Sequence, residues 1–404
     1  MKLVLAAVLL TVLAFFGSRV SVIQLLLARI ERIPGVRHLL LTGTEFVLVG
    51  LILGTHGIGV LDEPTLTGLA PGFGLGLAWI GLLFGIQWDV RRLPPATRAI
   101  IPAALGQAVL TGAFVAIGTH FLLRLYLGWD DESSLVGALS LGAAASGTAG
   151  IPKSVRAGSE GLQRLLRSIA DVDGLVPILT FGLVCCLPLL HDGDTRFWIW
   201  FGCSIGLGLA VGLVVTVLGT YRLSEDDHLV ILFGAVLLGG GAALQLSLSP
   251  LLVNAIAGFL VANVARPRTC SAIRRLLLEG DRAVYILFLL LAGALWNPGS
   301  NQTLGLALLY IGVRMFGKWL TAGWALRKWI PAAHVRRVGL GLISYDGLAV
   351  AIAINLQLLT QSPMADLVTT VVLVGVVINE LLAPLLAAAV LRGDVVSSRV
   401  EGSA

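Results

Sequence analysis

The chain has 404 residues, of which 57% are hydrophobic and 13% are charged. Its mean hydropathy of +0.92 lies far outside the range of soluble domains. The sequence therefore predicts a membrane protein that crosses the bilayer several times, and any activity must lie within its helices. A net charge of +5 reports the orientation of the loops in such a protein, so it does not indicate a nucleic-acid partner.

Long apolar runs predict an all-α polytopic membrane protein with about thirteen transmembrane helices. A bilayer core of about 30 Å requires about 20 helical residues per crossing, and no run alternates like a barrel strand. The predicted spans are 3–18, 38–55, 66–87, 99–125, 134–152, 162–190, 197–220, 228–247, 250–265, 282–296, 302–325, 336–359 and 366–391.

The positions of Lys and Arg predict the orientation of these crossings. With the N-terminus outside, all but five of the 28 cations lie in cytoplasmic segments. The acidic stretches 61–64 and 129–133 then lie outside, and the C-terminus is cytoplasmic. The four cysteines lack metal-ligand spacing, so we expect them to pack in the protein, with Cys270 in a cytoplasmic loop. The first run lacks a small-residue cleavage site and is interpreted as a crossing.

Two predicted crossings contain polar and glycine residues near the middle of the membrane. The fifth includes LGAAASGTAGIPKSV (141–155), and the twelfth includes GLGLISYDGLAVAI (339–352). Seven crossings separate them, so they run in opposite directions, as in two inverted-topology repeats with a transporter site at the midplane. Close packing of small residues is the alternative. The residues predicted at the two breaks are Ser146, Gly147, Gly150, Tyr345 and Gly347.

Two carboxylates, Asp171 and Asp173, lie in the sixth apolar run. An ionised Asp at the centre of a bilayer costs at least about 2.5–3.5 kcal/mol, so each requires a partner or a function. Residues two apart on a helix point in different directions, and Arg167 can pair with Asp171 at i,i+4 spacing. We therefore expect Asp173 to be functional and Asp171 to be mainly structural, while both belong to the predicted ion- and proton-binding residues.

Two prolines each leave a backbone carbonyl free to bind a cation. Pro177 lacks the N–H that would bond the carbonyl of Asp173, and Pro152 frees the carbonyl of Thr148 in the same way. Hard cations bind oxygen atoms of this kind, so Asp173 and Thr148 are the predicted cation ligands. A proline kink that is satisfied by water or by a Ser or Thr hydroxyl is the alternative.

Basic residues also lie inside a predicted crossing. Arg314 and Lys318 are one turn apart on one face of the eleventh crossing, and an interior cation near an interior carboxylate suggests a switchable pair. A structural tie between helices is the alternative. Three further carboxylates lie inside predicted crossings. Asp346 lies at the second break, whereas Glu45 and Glu380 are expected to be packed hydrogen-bonding groups.

Taken together, several segments resemble the monovalent cation:proton antiporter superfamily, in particular its bacterial sodium/proton or potassium/proton exchanger branch. The segments are VLVGLILGTHGIGVLD (47–62), GLLFGIQWDVRRL (81–93), IADVDGLVPI (169–178), YIGVRMFGKWL (310–320) and VINELLAPLLAAAVLR (377–392). Their order and spacing carry the resemblance, which places Asp173 at the position of the ion-binding aspartate. Val172 and Ala149 depart from the family pattern, and Asp346 would supply the carboxylate that the first break lacks.

The resemblance implies the organisation of the whole chain. A core of two interlocked inverted repeats (98–190 and 302–392) would move against dimerising panel helices (1–93 and 227–300). The protein would exchange a monovalent cation, Na⁺ or K⁺, for protons by alternating access, as a homodimer in the cell (inner) membrane. It would need no cofactor and would not be an enzyme.

Three other functions are alternatives to exchange. An intramembrane aspartyl protease requires two aspartates that share a proton, and the associated Gly-x-Gly-Asp is absent from the sequence. A sodium- or proton-coupled symporter of an organic anion could use a similar inverted-repeat fold. An accessory or channel-like protein would show no coupled exchange.

Overall fold

A computed structural model describes residues 2–19, 43–91, 95–148, 160–191, 196–221, 224–297, 301–327, 339, 341–345 and 347–401. Within these ranges the chain forms fourteen α-helices and a short 3-10 helix at Pro188–Leu190. The α-helices are α1 Lys2–Arg19, α2 Glu45–Leu53, α3 Glu63–Gln87, α4 Pro95–Leu127, α5 Asp131–Ser146, α6 Glu160–Asp173, α7 Leu175–Cys185, α8 Phe197–Leu218, α9 Glu225–Gln245, α10 Pro250–Val264, α11 Pro267–Leu295, α12 Asn301–Ala325, α13 Gly347–Leu359 and α14 Pro363–Glu401.

The lengths and surfaces of these helices suit a lipid bilayer. Among the described residues, seven helical spans are long and apolar enough to cross a membrane, one of them formed by α6 and α7 together, and three shorter helices are also apolar. Large apolar side chains lie on the outside, such as Leu125 at 84% and Trp198 at 73% exposure. Such a surface is stable in lipid and not in water. The protein is therefore an all-α polytopic membrane protein, as predicted.

Glycine allows the backbones of neighbouring helices to approach closely. A methyl group on Gly81 or Gly85 of α3 would lie 2.3 Å from the carbonyl oxygen of Leu251 and 2.1 Å from that of Ala255, respectively, on α10. In the reverse direction, Gly258 of α10 meets the backbone of α3. Lipid supplies no hydrophobic drive for association, so this close packing holds the helix pair together.

The two acidic stretches that were predicted to face outside begin helices. Asp62 accepts a hydrogen bond from the Thr65 amide at the start of α3, and Asp130 accepts one from the Ser133 amide at the start of α5. The Ser133 hydrogen bond holds the pKa of Asp130 below its ordinary value. Both aspartates satisfy amides that have no partner within the helix, so their role is capping.

Two predicted crossings differ in extent from the helices that the structure describes. The tenth crossing was expected to begin at residue 282, but α11 begins at Pro267, because its first half is an amphipathic helix that buries Cys270, Ile273 and Leu277. Cys270 is thus buried and does not lie in a loop. The sixth crossing was expected to span residues 162–190; the structure forms α6 and α7 on either side of Gly174, whose backbone is α-helical, and α7 ends at Cys185.

Each of the thirteen predicted apolar runs contains a described helix. The number of crossings and the inverted repeat remain predictions.

Candidate functional site

The C-terminal end of α5 provides the first part of the site. The helix ends at Ser146, and Gly147 is extended at φ −69° and ψ 156°. The last carbonyls of a helix have no intrahelical partner and carry the negative end of its dipole. A helix that stops inside a membrane protein therefore attracts a cation at this end.

Lys318 of α12 supplies that cation. Its Nζ donates hydrogen bonds to the carbonyls of Ser146 (3.3 Å) and Gly147 (3.0 Å) and to Oγ1 of Thr148 (2.6 Å). Lys318 is 0% exposed. These oxygens replace the water that a buried ammonium loses and so reduce the cost of its burial.

Arg314 connects the two interruptions. One turn before Lys318 on the same helix, its Nη1 donates to the carbonyl of Ile343 (2.6 Å) and its Nη2 to the carbonyl of Gly147 (3.3 Å). Its guanidinium lies 3.8 Å from the centroid of the Tyr345 ring, within the range of a cation–π contact. One fully buried side chain thereby holds the end of α5 and the non-helical segment before α13 in fixed positions.

The second interruption is stabilised by a pair of tyrosines. Ile343, Ser344 and Tyr345 are not helical, and α13 begins at Gly347. The Tyr310 hydroxyl lies 3.2 Å from the Leu141 carbonyl and 2.6 Å from the Tyr345 hydroxyl. Because Tyr310 has one hydroxyl hydrogen, donation to Leu141 requires that Tyr345 donate to Tyr310.

Asp173 lies at the junction between α6 and α7, where the chain continues in helical conformation. It is the last residue of α6, is 0% exposed, and is followed by Gly174 at φ −59° and ψ −18°. Pro177 is the third residue of α7, where the missing N–H is tolerated. The carbonyl of Asp173 therefore cannot receive a hydrogen bond from Pro177, in agreement with the sequence argument.

The structure brings together Thr148, Lys318 and Arg314 with Ser146, Gly147 and Tyr345. Ser146 is the last residue of α5 and Gly347 is the first residue of α13, so both border the interruptions. Gly150, Asp346 and the side chain of Asp171 lie outside the described residues. The predicted pairing of Asp173 with Lys318 remains a prediction.

Sequence reasoning missed Tyr310 and the acceptor role of the Ile343 carbonyl. Tyr310, Arg314 and Lys318 are spaced by four residues, so they share one face of α12, and that spacing could have identified Tyr310. A backbone carbonyl leaves no signal in a sequence. Ser344 donates a hydrogen bond to Oε1 of buried Glu380 at 3.2 Å, which agrees with the predicted packing role of that carboxylate.

The fold and this site define an all-α polytopic membrane protein in which buried basic residues join two interrupted crossings. Neither the protein-family models nor the curated proteins match its sequence.

Solved structures do match. The sodium proton antiporter MjNhaP1 from Methanocaldococcus jannaschii at pH 8 has a TM-score of 0.66 and 17% identity, covering 96% of this chain and 97% of that chain. A second structure of that antiporter, from an electron-microscopy map, has a TM-score of 0.64 and 14% identity, covering 96% of each chain. At these identities the similarity shows a shared fold.

Proposed function

We propose that this protein is a monovalent cation:proton antiporter that exchanges Na⁺ or K⁺ for protons by alternating access. The observation that carries the proposal is the fully buried Lys318 ammonium at the open end of α5, in a chain that also buries Asp173 completely. The fold shared with MjNhaP1, a sodium proton antiporter by its description, supports it. Buried ionisable groups in a membrane protein commonly mark an ion or proton pathway.

The chemistry follows from competition for oxygen atoms. A carboxylate at Asp173 and the hydroxyl of Thr148 are ligands that suit a hard monovalent cation. When the cation is absent, a proton on Asp173 removes the cost of an ionised carboxylate in the membrane. Lys318 already occupies Thr148, so cation binding there would displace the ammonium and favour release of its proton. Arg314 keeps its proton and has a positioning role.

The proposal includes an arrangement of helices. Residues 98–190 and 302–392 form the moving core, and residues 1–93 and 227–300 form the panel through which two copies dimerise. The N-terminus lies outside and the C-terminus lies in the cytoplasm of a cell whose inner membrane holds the protein. The positive-inside distribution of Lys and Arg supports this orientation.

The proposal can be tested in proteoliposomes with an imposed pH gradient. We expect purified protein to dissipate the gradient when Na⁺ or K⁺ is added. Asp173→Asn should abolish this exchange while remaining folded, because Asn is nearly isosteric but cannot bind or release the proton. Asn301→Gln at the exposed start of α12 serves as the folded, active reference, since it changes neither charge nor a buried contact.

Two results would contradict the proposal. Exchange in folded Asp173→Asn equal to that of the unsubstituted protein would remove Asp173 from the site. Absence of exchange with Na⁺, K⁺ and Li⁺, together with coupled uptake of a labelled organic anion, would favour the symporter instead.

A further inference from the structure

Two glycines beside the interruptions are each covered by an aromatic ring from another helix. A methyl group on Gly174 would lie 2.9 Å from Cε1 of Phe84, and one on Gly347 would lie 2.7 Å from Cε2 of Tyr285. Contacts shorter than 3.0 Å force the neighbouring atoms to move. Each ring therefore fills the space that a larger residue at the glycine would occupy.

These rings lie where the proposed core meets the proposed panel. Phe84 belongs to α3 and Tyr285 to α11, which fall within the panel segments, whereas Gly174 and Gly347 belong to the core segments. Both rings are half-buried at the edge of the main hydrophobic cluster. Gly174 directly follows Asp173, and Gly347 directly follows Asp346 in the sequence. An aromatic side chain thus lies against the backbone next to each aspartate position.

We propose that Phe84 is a gate residue whose ring controls access to Asp173, and that Gly174 provides the space in which the ring closes. Tyr285 on Gly347 is its counterpart at the second interruption. A phenyl ring offers no oxygen to a cation and excludes water from the backbone beside it, so a cation reaches Asp173 only after the ring moves away. The proposal rests on the proposed exchange function, since it assigns a role in access to the same site.

Thiol accessibility tests the gate without requiring exchange. In a protein whose four native cysteines are replaced, Asp173→Cys is exposed to the cationic reagent 2-aminoethyl methanethiosulfonate. Adding Phe84→Ala should raise the modification rate about tenfold, because the ring no longer lies against Gly174 beside that position. Phe259→Ala is the matched control, since that ring projects from α10 with 41% exposure, and it should leave the rate unchanged. Equal rates with and without Phe84 in folded proteins would overturn the gate.

A second pair of variants tests the role of the glycine in exchange. Gly174→Ala should reduce the exchange rate about tenfold because its methyl group meets the ring, and Phe84→Leu in the same chain should restore most of it. Gly106→Ala is the control, since no atom lies within 4 Å of the added methyl group. A folded Gly174→Ala that exchanges normally, or that Phe84→Leu does not rescue, would contradict the proposal.

The two proposals fail in different ways. If the unsubstituted protein shows no exchange, the proposed function fails, while the modification rates of the thiol introduced by Asp173→Cys still decide whether the ring controls access.

Discussion

Arg314 and Lys318 are both fully buried cations on one helix, but their partners differ in kind. Arg314 binds carbonyls from both interruptions and the ring of Tyr345, so its contacts fix backbone positions. Lys318 binds the end of α5, including the Thr148 hydroxyl. An ammonium can lose its proton, whereas a guanidinium effectively does not. Arg314 therefore suits a fixed role, and Lys318 suits a role in which it releases a proton.

Replacement of Lys318 should therefore affect coupling more than folding. We expect Lys318→Gln to change the pH dependence of exchange or the charge moved per cycle, because no ammonium remains to release a proton. Lys318→Arg is the matched control, since it keeps the positive charge without the ability to titrate, and it should also lose the normal pH dependence. Exchange at several pH values and imposed membrane potentials measures both variants.

Arg314→Gln should act mainly on stability. The carbonyl of Ile343 would lose its charged donor, and a buried unsatisfied group costs about 1–3 kcal/mol, whereas the carbonyl of Gly147 keeps its hydrogen bond from Lys318. We expect a lower midpoint of thermal unfolding in detergent, with coupling retained in the molecules that fold. If Lys318→Gln behaves like the unsubstituted protein while a well-folded Arg314→Gln loses all coupling, the two roles are assigned the wrong way round.

The packing of α4 against α12 determines where the basic residues lie. Oγ1 of Thr111 on α4 lies 2.7 Å from Oγ1 of Thr321 on α12, and this hydrogen bond joins the two helices inside the protein. Thr321 follows Lys318 by about one turn. Each hydroxyl also lies within hydrogen-bonding distance of a carbonyl of its own helix. Since a hydroxyl has one hydrogen, both cannot donate to their own helix and still form the bond between helices.

Loss of this contact should loosen α12. We expect Thr321→Val to lower the free energy of unfolding by about 1 kcal/mol and to slow exchange, because α12 positions Lys318. Thr119→Val on α4 is the matched control, since that buried hydroxyl bonds the carbonyls of Val115 and Ala116 in its own helix. Equal effects of the two substitutions on exchange would show that the contact between helices does not position the site.

The elements that the sequence predicted well are those decided by local chemistry. Apolar runs predicted the helices, Gly147 was predicted at a break, and Pro177 was predicted to leave the carbonyl of Asp173 without its helical partner, because glycine and proline weaken helical hydrogen bonding locally. The start of α11 was missed, because an amphipathic segment that buries Cys270 has no hydrophobic run of membrane length. The partners of Arg314 were also missed, since α5 and the Ile343 segment meet only in the folded protein.

For the whole molecule, apolar and charged side chains occupy different places. The long helices expose apolar side chains of the kind that contact lipid, whereas Arg314 and Lys318 are completely buried among helices. Cations outside the crossings then remain to orient the chain, because positively charged loops stay in the cytoplasm. The orientation therefore depends on the charged loops.

Labelling of single cysteines tests this orientation, and the structure determines which positions are suitable. Asp130 caps α5, so its replacement would disturb the helix; Glu132 is exposed and has no capping role. Ser271 is exposed on α11, while its neighbour Cys270 is only 2% exposed.

An impermeant maleimide should label Glu132→Cys from outside intact cells and Ser271→Cys only after the membrane is opened. A chain that keeps Cys270 alone should remain unlabelled until it is denatured, which shows that labelling reports the folded protein. Labelling of Ser271→Cys in intact cells, with Glu132→Cys protected, would reverse the orientation of every crossing and place both termini on the opposite sides.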